Sequence, residues 1–302
     1  MEFEIICRTS EDRKHTKILF QVRIMSTPLL LLMLVVEIAS LINSEDTQPG
    51  EFPFMARLSS YRPHSHWCGG SLISSRTVLT AAHCVEWVDP DNIVVTLGDY
   101  ALNETGDIER RMGVSQIIVH EDFHHGTFNE PFNDIALLIL EEVELEESGY
   151  SVISLPTDRS IYEEGTTITI TGWGDMGDGS RLNTLQKVEQ VLPDQGTCLS
   201  YWKGVGLELA EESGIPASVV EETIASGWID GMLCTGTPPL EKQRFWYGDS
   251  GGPLFVQDNG TWTLVSLVSW NTPRRTGIEG LYDFDMSVDV LFYVDWIRRN
   301  MV

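Results

Sequence analysis

Basic residues are scarce in this sequence. Its 302 residues include 20 Lys and Arg against 45 Asp and Glu, which gives a formal net charge of −25. Residues 1–40 contain five acids and five bases, so the whole excess lies in 41–302. A body of this charge repels nucleic acid and anionic lipid, so neither is expected as a partner, whereas basic partners are tolerated or attracted.

No apolar run reaches the roughly 20 residues that a membrane span requires. The longest, PLLLLMLVVEIAS at 28–40, is interrupted by Glu37 and ends in small residues. This pattern favours a signal-peptide core, with Met25 as a candidate start and 1–24 as an extension of the gene model. We therefore treat 1–40 as an N-terminal extension plus signal-like segment and predict a secreted, extracellular protein. A short signal anchor is the alternative.

Internal repeats and low-complexity linkers are also absent, so 41–302 is treated as one folded region. Its strand signals are rich in Val, Ile, Thr and Trp and are separated by Gly, Pro, Asn and Asp. They are VVTL (94–97), SQIIVH (115–120), DIALLIL (134–140), TTITITGW (166–173) and WTLVSLVSW (262–270). Many short strands with turn signals predict an all-β sandwich or barrel.

Two segments have helical signals. Residues 289–300 carry apolar residues at helical spacing and end in two arginines, which complement a helix dipole. Residues 218–227 open with Ser218 and Glu221 in capping-box spacing and close at a glycine. The surrounding stretch 199–233 is acidic, and we expect it to be an irregular surface insertion.

The sequence contains few cysteines, five in all, and Cys7 falls in the excluded segment. The remaining four, Cys68, Cys84, Cys198 and Cys234, predict two disulfides in a secreted chain, with three possible connectivities. Two N-glycosylation sequences, at Asn103 and Asn259, are usable only if the chain is secreted.

Three short stretches carry candidate chemistry. They are Thr80-Ala-Ala-His-Cys84, Asn133-Asp-Ile-Ala-Leu-Leu138 and Gly248-Asp-Ser-Gly-Gly-Pro253. Each stretch by itself more often has a structural role than a catalytic one. Together they supply a serine nucleophile, an imidazole that can take its proton, a carboxylate that can orient the imidazole, and glycines that let backbone N–H groups approach an oxyanion.

On these stretches the chain resembles the chymotrypsin-fold serine proteases, the trypsin-like family. The order His, Asp, Ser matches this family rather than subtilisin or the α/β-hydrolases. Eight blocks fall in the family's order: GEFPFMARL (50–58), WCGGSLIS (67–74), LTAAHC (79–84), NDIALL (133–138), TGWG (171–174), MLCTG (232–236), GDSGGPL (248–254) and VSW (268–270). The resemblance implies two packed six-stranded antiparallel barrels with a C-terminal helix over 41–302.

The resemblance also assigns roles. It implies Ser250 as nucleophile, His83 as general base and then acid, and Asp134 as its orienting carboxylate, with the N–H groups of Gly248 and Ser250 as the oxyanion hole. It places Ser269, Trp270 and Asn271 along an extended substrate. It pairs Cys68 with Cys84 and Cys198 with Cys234, and it implies no cofactor.

Three departures from the family pattern are visible. Trp246 stands where many members have a cysteine, and its partner cysteine is missing too, so one bridge beside the specificity pocket is lost. The insertion 199–233 is long, and it is either a tolerated surface loop or an acidic rim that recruits basic substrates. Asp99 and Glu109 could supply oxygens to a calcium loop, but Ala101 and Gly106 weaken the site, so no metal is expected.

The specificity pocket has an unusual charge. Arg244 lies six residues before the nucleophile, where trypsin-like members carry an Asp that binds Arg or Lys. Cleavage after Arg or Lys is therefore disfavoured. Asn271 stands where the family often has glycine and should narrow the entrance of the specificity pocket. Gly280, on the same wall, leaves that position small. Either Arg244 points inward and selects acidic side chains, or it points outward and Phe245 lines a shallow apolar pocket.

Activation in the family requires a new N-terminus that pairs with the Asp before the nucleophile, here Asp249. Counting back from Phe52-Pro53 gives Leu41 that role, and Ser40 before it is small enough for signal peptidase. We therefore expect secretion itself to create the active terminus; a mis-joined gene model is the alternative. The sequence as a whole predicts a secreted, monomeric serine endopeptidase acting on proteins or peptides. A non-catalytic homologue that binds a partner in the cleft is the rival interpretation.

Overall fold

A computed structural model describes residues 4–12, 15–23, 45–62, 65–106, 108–127, 129–141, 149–175, 183–225, 230–236, 247–258, 260–271 and 284–302. The chain divides into two compact units, Met1–Asn43 and Ser44–Val302. The signal-like segment 28–40 lies outside the described residues. None of the described helices is long and apolar enough to cross a membrane.

The smaller unit contains an antiparallel hairpin. Strand β1 (Glu4–Asp12) pairs with β2 (His15–Arg23) from the Glu4–Arg23 partners to the Asp12–His15 partners at the turn. Sequence reasoning set this segment aside without assigning it any structure.

The larger unit is built mainly from short strands. In chain order they are β3 (Glu45–Asp46), β4 (Met55–Ser59), β5 (Cys68–Leu72), β6 (Thr77–Thr80), β7 (Val94–Leu97), β8 (Arg110–Val119), β9 (His124–His125), β10 (Pro131–Phe132), β11 (Ala136–Leu140), β12 (Thr167–Gly172), β13 (Gln186–Val191), β14 (Met232–Gly236), β15 (Pro253–Asp258), β16 (Thr261–Asn271) and β17 (Phe284–Asp289). Four of the five strands expected from the sequence lie within these elements or match them to within one residue, and the fifth, 134–140, begins two residues before β11.

The first barrel closes in the order β11-β6-β5-β4-β7-β8. Most of its strands are buried along their whole length, and β11, with the sequence ALLIL, is a continuous apolar run for that reason. Strand β8 alternates at its start, where Met112 and Val114 face the core between exposed neighbours. A small hairpin, β9 with β10, lies outside the barrel wall and leads directly into β11.

The second barrel is the ring β12-β15-β16-β17-β14-β13, closed by pairing of β12 with β13, and β3 adds to β13 as a seventh strand. The largest core cluster draws on both barrels and includes the aromatic rings of Phe52, Phe54, Trp173 and Phe255. The two six-stranded antiparallel barrels with a C-terminal helix confirm the expected fold.

The described part of this unit also contains three α-helices: α1 (Gln195–Ser213), α2 (Ala217–Ala225) and α3 (Val294–Asn300). The expectation of an irregular stretch around 199–213 was wrong, because α1 fills it. Asp194 caps its first turn by accepting from Thr197 N at 2.7 Å, and Gly214 ends it in the left-handed conformation. The C-terminal helix begins at Val294, five residues later than expected, because Asp289 still belongs to β17.

Candidate active site

The segment after β6 positions His83. A short 3-10 helix, Ala82–Cys84, turns the chain at the barrel's end, and a disulfide from Cys84 to Cys68 on β5 ties it down. Trp67 Nε1 donates to the carbonyl oxygen of Cys84 at 3.1 Å. His83 is thus held on both sides while its imidazole stays partly accessible, with 24% of the side chain exposed.

Asp134 is completely buried and directly contacts His83. Its Oδ1 accepts from His83 N at 2.8 Å, and its Oδ2 lies 2.7 Å from His83 Nδ1. Asn133, with φ 49°, provides the left-handed step that turns Asp134 inward before β11 begins. Ser269 of β16 donates its hydroxyl to Asp134 Oδ2 at 2.5 Å, so this carboxylate accepts bonds from both barrels.

These contacts shift both pKa values away from their ordinary ranges. Burial alone opposes the charged imidazolium, but the negative charge and hydrogen bond of Asp134 outweigh it and raise the pKa of His83. Burial likewise opposes the Asp134 carboxylate, but the attraction to His83 and the bonds from His83 and Ser269 lower its pKa overall. The pair therefore favours a charged carboxylate beside an imidazole that readily takes a proton.

Ser250 lies on the loop between Tyr247 and β15. Its carbonyl oxygen accepts from Gly69 N at 2.8 Å, and Gly251 N donates to the carbonyl oxygen of Val268 at the same distance. Gly251 has φ 73°, and a Cβ there would lie 2.2 Å from Thr80 Oγ1. Only glycine fits at this position, where the second barrel's loop touches the first barrel.

The candidate residues share one cavity of about 590 Å³. Its described lining joins His83 from the first barrel to Gly248, Ser250, Ser269 and Trp270 from the second. Gly248 has φ 103°, and its Cα faces His66 and Gly174 so closely that a Cβ would meet both at 3.3 Å. Gly248 and Ser250 therefore bring this loop to the lining of the cavity, with Gly248 close to His66.

The Asp249 carboxylate points away from this cavity toward the TGWG segment. Its Oδ1 accepts from Gly174 N at 2.8 Å, and Cβ atoms on Gly172 or Gly174 would overlap it. Leu41, its expected ammonium partner, lies outside the described residues.

The insertion after Cys198 reaches the same cleft. A second disulfide joins Cys198 in α1 to Cys234 in β14. One turn further along, Trp202 packs on Trp270 with ring centroids 4.5 Å apart. The acidic insertion is therefore a helical hairpin docked behind a wall of the cleft, and Trp202 is a residue that sequence reasoning missed.

Three further residues near the cleft had not been singled out. Glu86 and His125 pair at 2.9 Å beside His83. Asp285, fully buried on β17, is in register with Asn271 on β16 and Thr235 on β14. The Glu86–His125 pair joins residues 39 apart in the chain and leaves no local sequence signal, whereas an Asp within a short strand segment was visible in the sequence.

Several expected site residues cannot be placed. Arg244, Phe245 and Gly280 of the specificity pocket, together with Trp246 and the glycosylation candidate Asn259, lie outside the described residues. Asn271 is the last residue of β16. Asn103 is exposed, as a glycan acceptor must be.

The described residues include one group of possible metal ligands, Cys68, His83 and Cys84. Both sulfurs are consumed by the disulfide, so the group is not a metal centre. In the loop weighed for calcium, the Asp99 carboxylate forms a buried ion pair with Arg57, and Glu109 accepts from Gly106 N at 3.3 Å.

Comparisons with known proteins find a matching family and several relatives. A family model described as Trypsin matches residues 41–297. Trypsin-1 of Astacus astacus is 29% identical over 269 residues, covering 87% of this chain and 100% of its own length. Tryptase of Mus musculus is 31% identical over 270 residues, covering 86% of this chain and 88% of its own length.

A third relative is much longer. Limulus clotting factor C of Carcinoscorpius rotundicauda is 30% identical over 276 residues, which cover 85% of this chain. The chain spans only 25% of that protein's length.

Proposed function

The chain belongs to the trypsin family, and from this premise we propose that it is a serine endopeptidase in which Ser250, His83 and Asp134 form the catalytic triad. The observation that carries the proposal is the hydrogen-bonded series Ser269, Asp134, His83 in the cavity that Ser250 also lines. Buried carboxylate, imidazole and accessible serine are the parts that acyl transfer requires.

The proposed reaction has two halves. Ser250 Oγ attacks the substrate carbonyl carbon while His83 takes the hydroxyl proton, and Asp134 stabilises the resulting imidazolium. The imidazolium then gives its proton to the departing amine, which leaves an acyl-enzyme. Water, deprotonated by His83, attacks the acyl carbon and releases the acid, so that Ser250 regains its proton.

The N–H groups of Gly248 and Ser250 are proposed as the oxyanion hole. The positive φ of Gly248 and its place in the cavity lining support this role, because the donors must approach a developing negative charge closely. Asp249 holds this loop in place by accepting a hydrogen bond from Gly174 N. We propose that the α-ammonium group of a terminus at Leu41 also pairs with the Asp249 carboxylate. N-terminal sequencing of the active protein tests that part separately.

Strand β16 is proposed to bind the substrate backbone. Among the described strands, β15 pairs with β16 only as far as Leu267, whereas β17 pairs with it through to Asn271. One edge of Ser269–Asn271 is thus not covered by β15, and an extended peptide can add there as a further strand.

The preferred residue before the cut is proposed to be neither Arg nor Lys, on the strength of Arg244 in the sequence. A library of cleaved peptides tests this. A dominant Arg or Lys preference would contradict it and would point instead to the buried Asp285 carboxylate as the group that receives the cation. Loss of that preference in Asp285→Asn would then identify the residue.

Other parts of the proposal concern partners. With 40 acids against 15 bases in 41–302, we propose basic substrate segments near the acidic helical hairpin 195–225, and no nucleic acid. Deletion of 205–226 should reduce kcat/KM for basic substrates more than for neutral ones at low salt. Secretion, a monomeric state and glycans at Asn103 and Asn259 remain proposals that the purified extracellular protein would test.

The central experiment is labelling by a serine-directed phosphonate. We expect stoichiometric modification at Ser250 with loss of amidase activity, no modification in Ser250→Ala, and normal modification in the buried-serine control Ser266→Ala. Folded protein that is neither labelled nor active would favour the rival interpretation, a homologue that only binds partners in the cleft.

A further inference from the structure

A second carboxylate belongs to the segment that carries His83. Glu86 follows His83 by three residues, and its backbone N–H donates to the carbonyl oxygen of Ala82 at 2.9 Å, which continues the helical turn. Residues three apart in such a turn are neighbours on the same face. Local geometry therefore directs Glu86 to the side of the helix on which His83 lies.

A histidine from another segment holds this carboxylate. His125 Nε2 lies 2.9 Å from Glu86 Oε1, and the two side chains are only 32% and 15% exposed. His125 lies on β9 and pairs in register with Pro131 on β10, and β10 leads through Asn133 into Asp134. The Glu86–His125 contact thus joins the segment bearing the imidazole to the segment bearing its orienting carboxylate.

We propose that Glu86, held in place by His125, is a positioning residue for His83 that supplies a second negative charge and so sets the pH range in which His83 acts as a base. The inference rests on the proposed peptidase function. It adds to that function a residue outside the triad, which acts through His83 and not on the substrate.

The charges around His83 support this role of Glu86. Asp134 is the main cause that raises the pKa of His83 against the effect of burial, and the charge of Glu86 raises it further. Among the described residues, the charged and titratable groups near His83 are Asp134 from the β10–β11 connection, Glu86 from its own turn, and His66, His125 and Tyr247, which line the same cavity. Removing the Glu86 charge should therefore lower the pKa of His83.

The competing explanation is that the Glu86–His125 contact only stabilises the packing of two loops and has no effect on His83. Glu86→Gln separates the two roles, because glutamine retains an oxygen that can accept from His125 but carries no charge. Glu86→Asp retains the charge on a shorter side chain. Asp91→Asn is the matched control: it removes an exposed carboxylate from the same connection, and the described contacts place it in no bond with His125.

Two measurements on the full chain test the proposal: the pH dependence of kcat/KM, and the NMR titration of the His83 imidazole, which does not require activity. In Glu86→Gln both midpoints should move to lower pH by about half a unit, as expected for one partly screened charge. Glu86→Asp should move them less, and Asp91→Asn should leave them in place.

The outcomes distinguish this inference from the function it rests on. An unchanged His83 midpoint in Glu86→Gln, or an equal shift in Asp91→Asn, would overturn the proposal even in a fully active enzyme. Absence of hydrolysis by the unmodified chain would count against the peptidase function instead, and the NMR titration would still report the effect of Glu86.

Discussion

The two barrels contribute different kinds of groups to the cleft. The first supplies side chains, His83 and Asp134, which are held by hydrogen bonds and a disulfide at the ends of β6 and β10. The second supplies the backbone of Gly248 together with Ser250, which both line the cavity on the loop before β15. Buried charges need preformed partners, whereas backbone donors need space. Glycine provides that space where the barrels meet, at Gly69 on the first and at Gly251 on the second.

Each contribution is also fixed by the opposite barrel. Ser269 on the second barrel donates to Asp134, and Gly69 on the first donates to the carbonyl oxygen of Ser250. The cleft is therefore a product of the interface, and neither barrel alone has the complete arrangement. Substitutions of the site residues in the first barrel should mainly reduce catalysis, whereas substitution of Gly251 in the loop of the second barrel should mainly reduce stability.

The largest loss of kcat/KM should follow removal of the negative charge of Asp134 on the first barrel. Asp134→Asn should reduce kcat/KM by about 10⁴-fold, because an amide favours the wrong imidazole tautomer and does not stabilise the imidazolium. Steady-state kinetics would measure this, with the exposed Asp122→Asn as control. A loss below tenfold would contradict the assignment of Asp134.

On the second barrel, the largest loss of stability should come from steric overlap of a methyl group added at Gly251. Gly251→Ala and Gly260→Ala both place alanine at positive φ, 73° and 82°, which costs about 1–2 kcal/mol of unfolding free energy. Only at Gly251 does the new methyl group overlap Thr80 and Gly69, which adds about 1–3 kcal/mol. Denaturant unfolding should show the difference; equal losses in the two variants would remove the argument that the loop contacts the first barrel tightly.

A smaller effect should come from the hydroxyl that links the barrels. Ser269→Ala removes a hydrogen bond to a buried carboxylate and should lower kcat/KM by about tenfold. Ser266→Ala is the matched control on the same strand, since its Oγ donates to the carbonyl oxygen of Val288 at 2.6 Å. If both variants lose equal activity, the effect is one of strand stability and not of Asp134.

The smallest expected effect is a displacement of the pH profile. Because Asp134 raises the pKa of His83, the imidazole stays protonated to higher pH than an ordinary histidine. Activity requires the neutral base, so kcat/KM should fall as pH decreases, with a midpoint above 6.5. A midpoint at or below 6.5 would show that burial of His83 outweighs the carboxylate.

The helical hairpin shows where local sequence signals fell short. Gly204 and Gly206 lower the helix propensity of α1, and its apolar residues do not form a clear stripe, so the segment read as irregular. Tertiary contacts stabilise it instead, through the Cys198–Cys234 disulfide and the Trp202–Trp270 packing. The cap residues Asp194 and Gly214 were the signals available to predict it.

The strands and the candidate triad could be predicted from the sequence, because they rest on local patterns. The strands are short β-branched runs between turn residues, and His83, Asp134 and Ser250 stand in stretches whose residue types suit acyl transfer wherever they occur. Which side chains meet was decided only by the tertiary structure. The bond from Ser269 to Asp134, the fit of Gly251 against Thr80 and the contact of Glu86 with His125 each join segments far apart in the chain, and only the packing of two closed barrels brings those atoms within hydrogen-bonding or van der Waals distance.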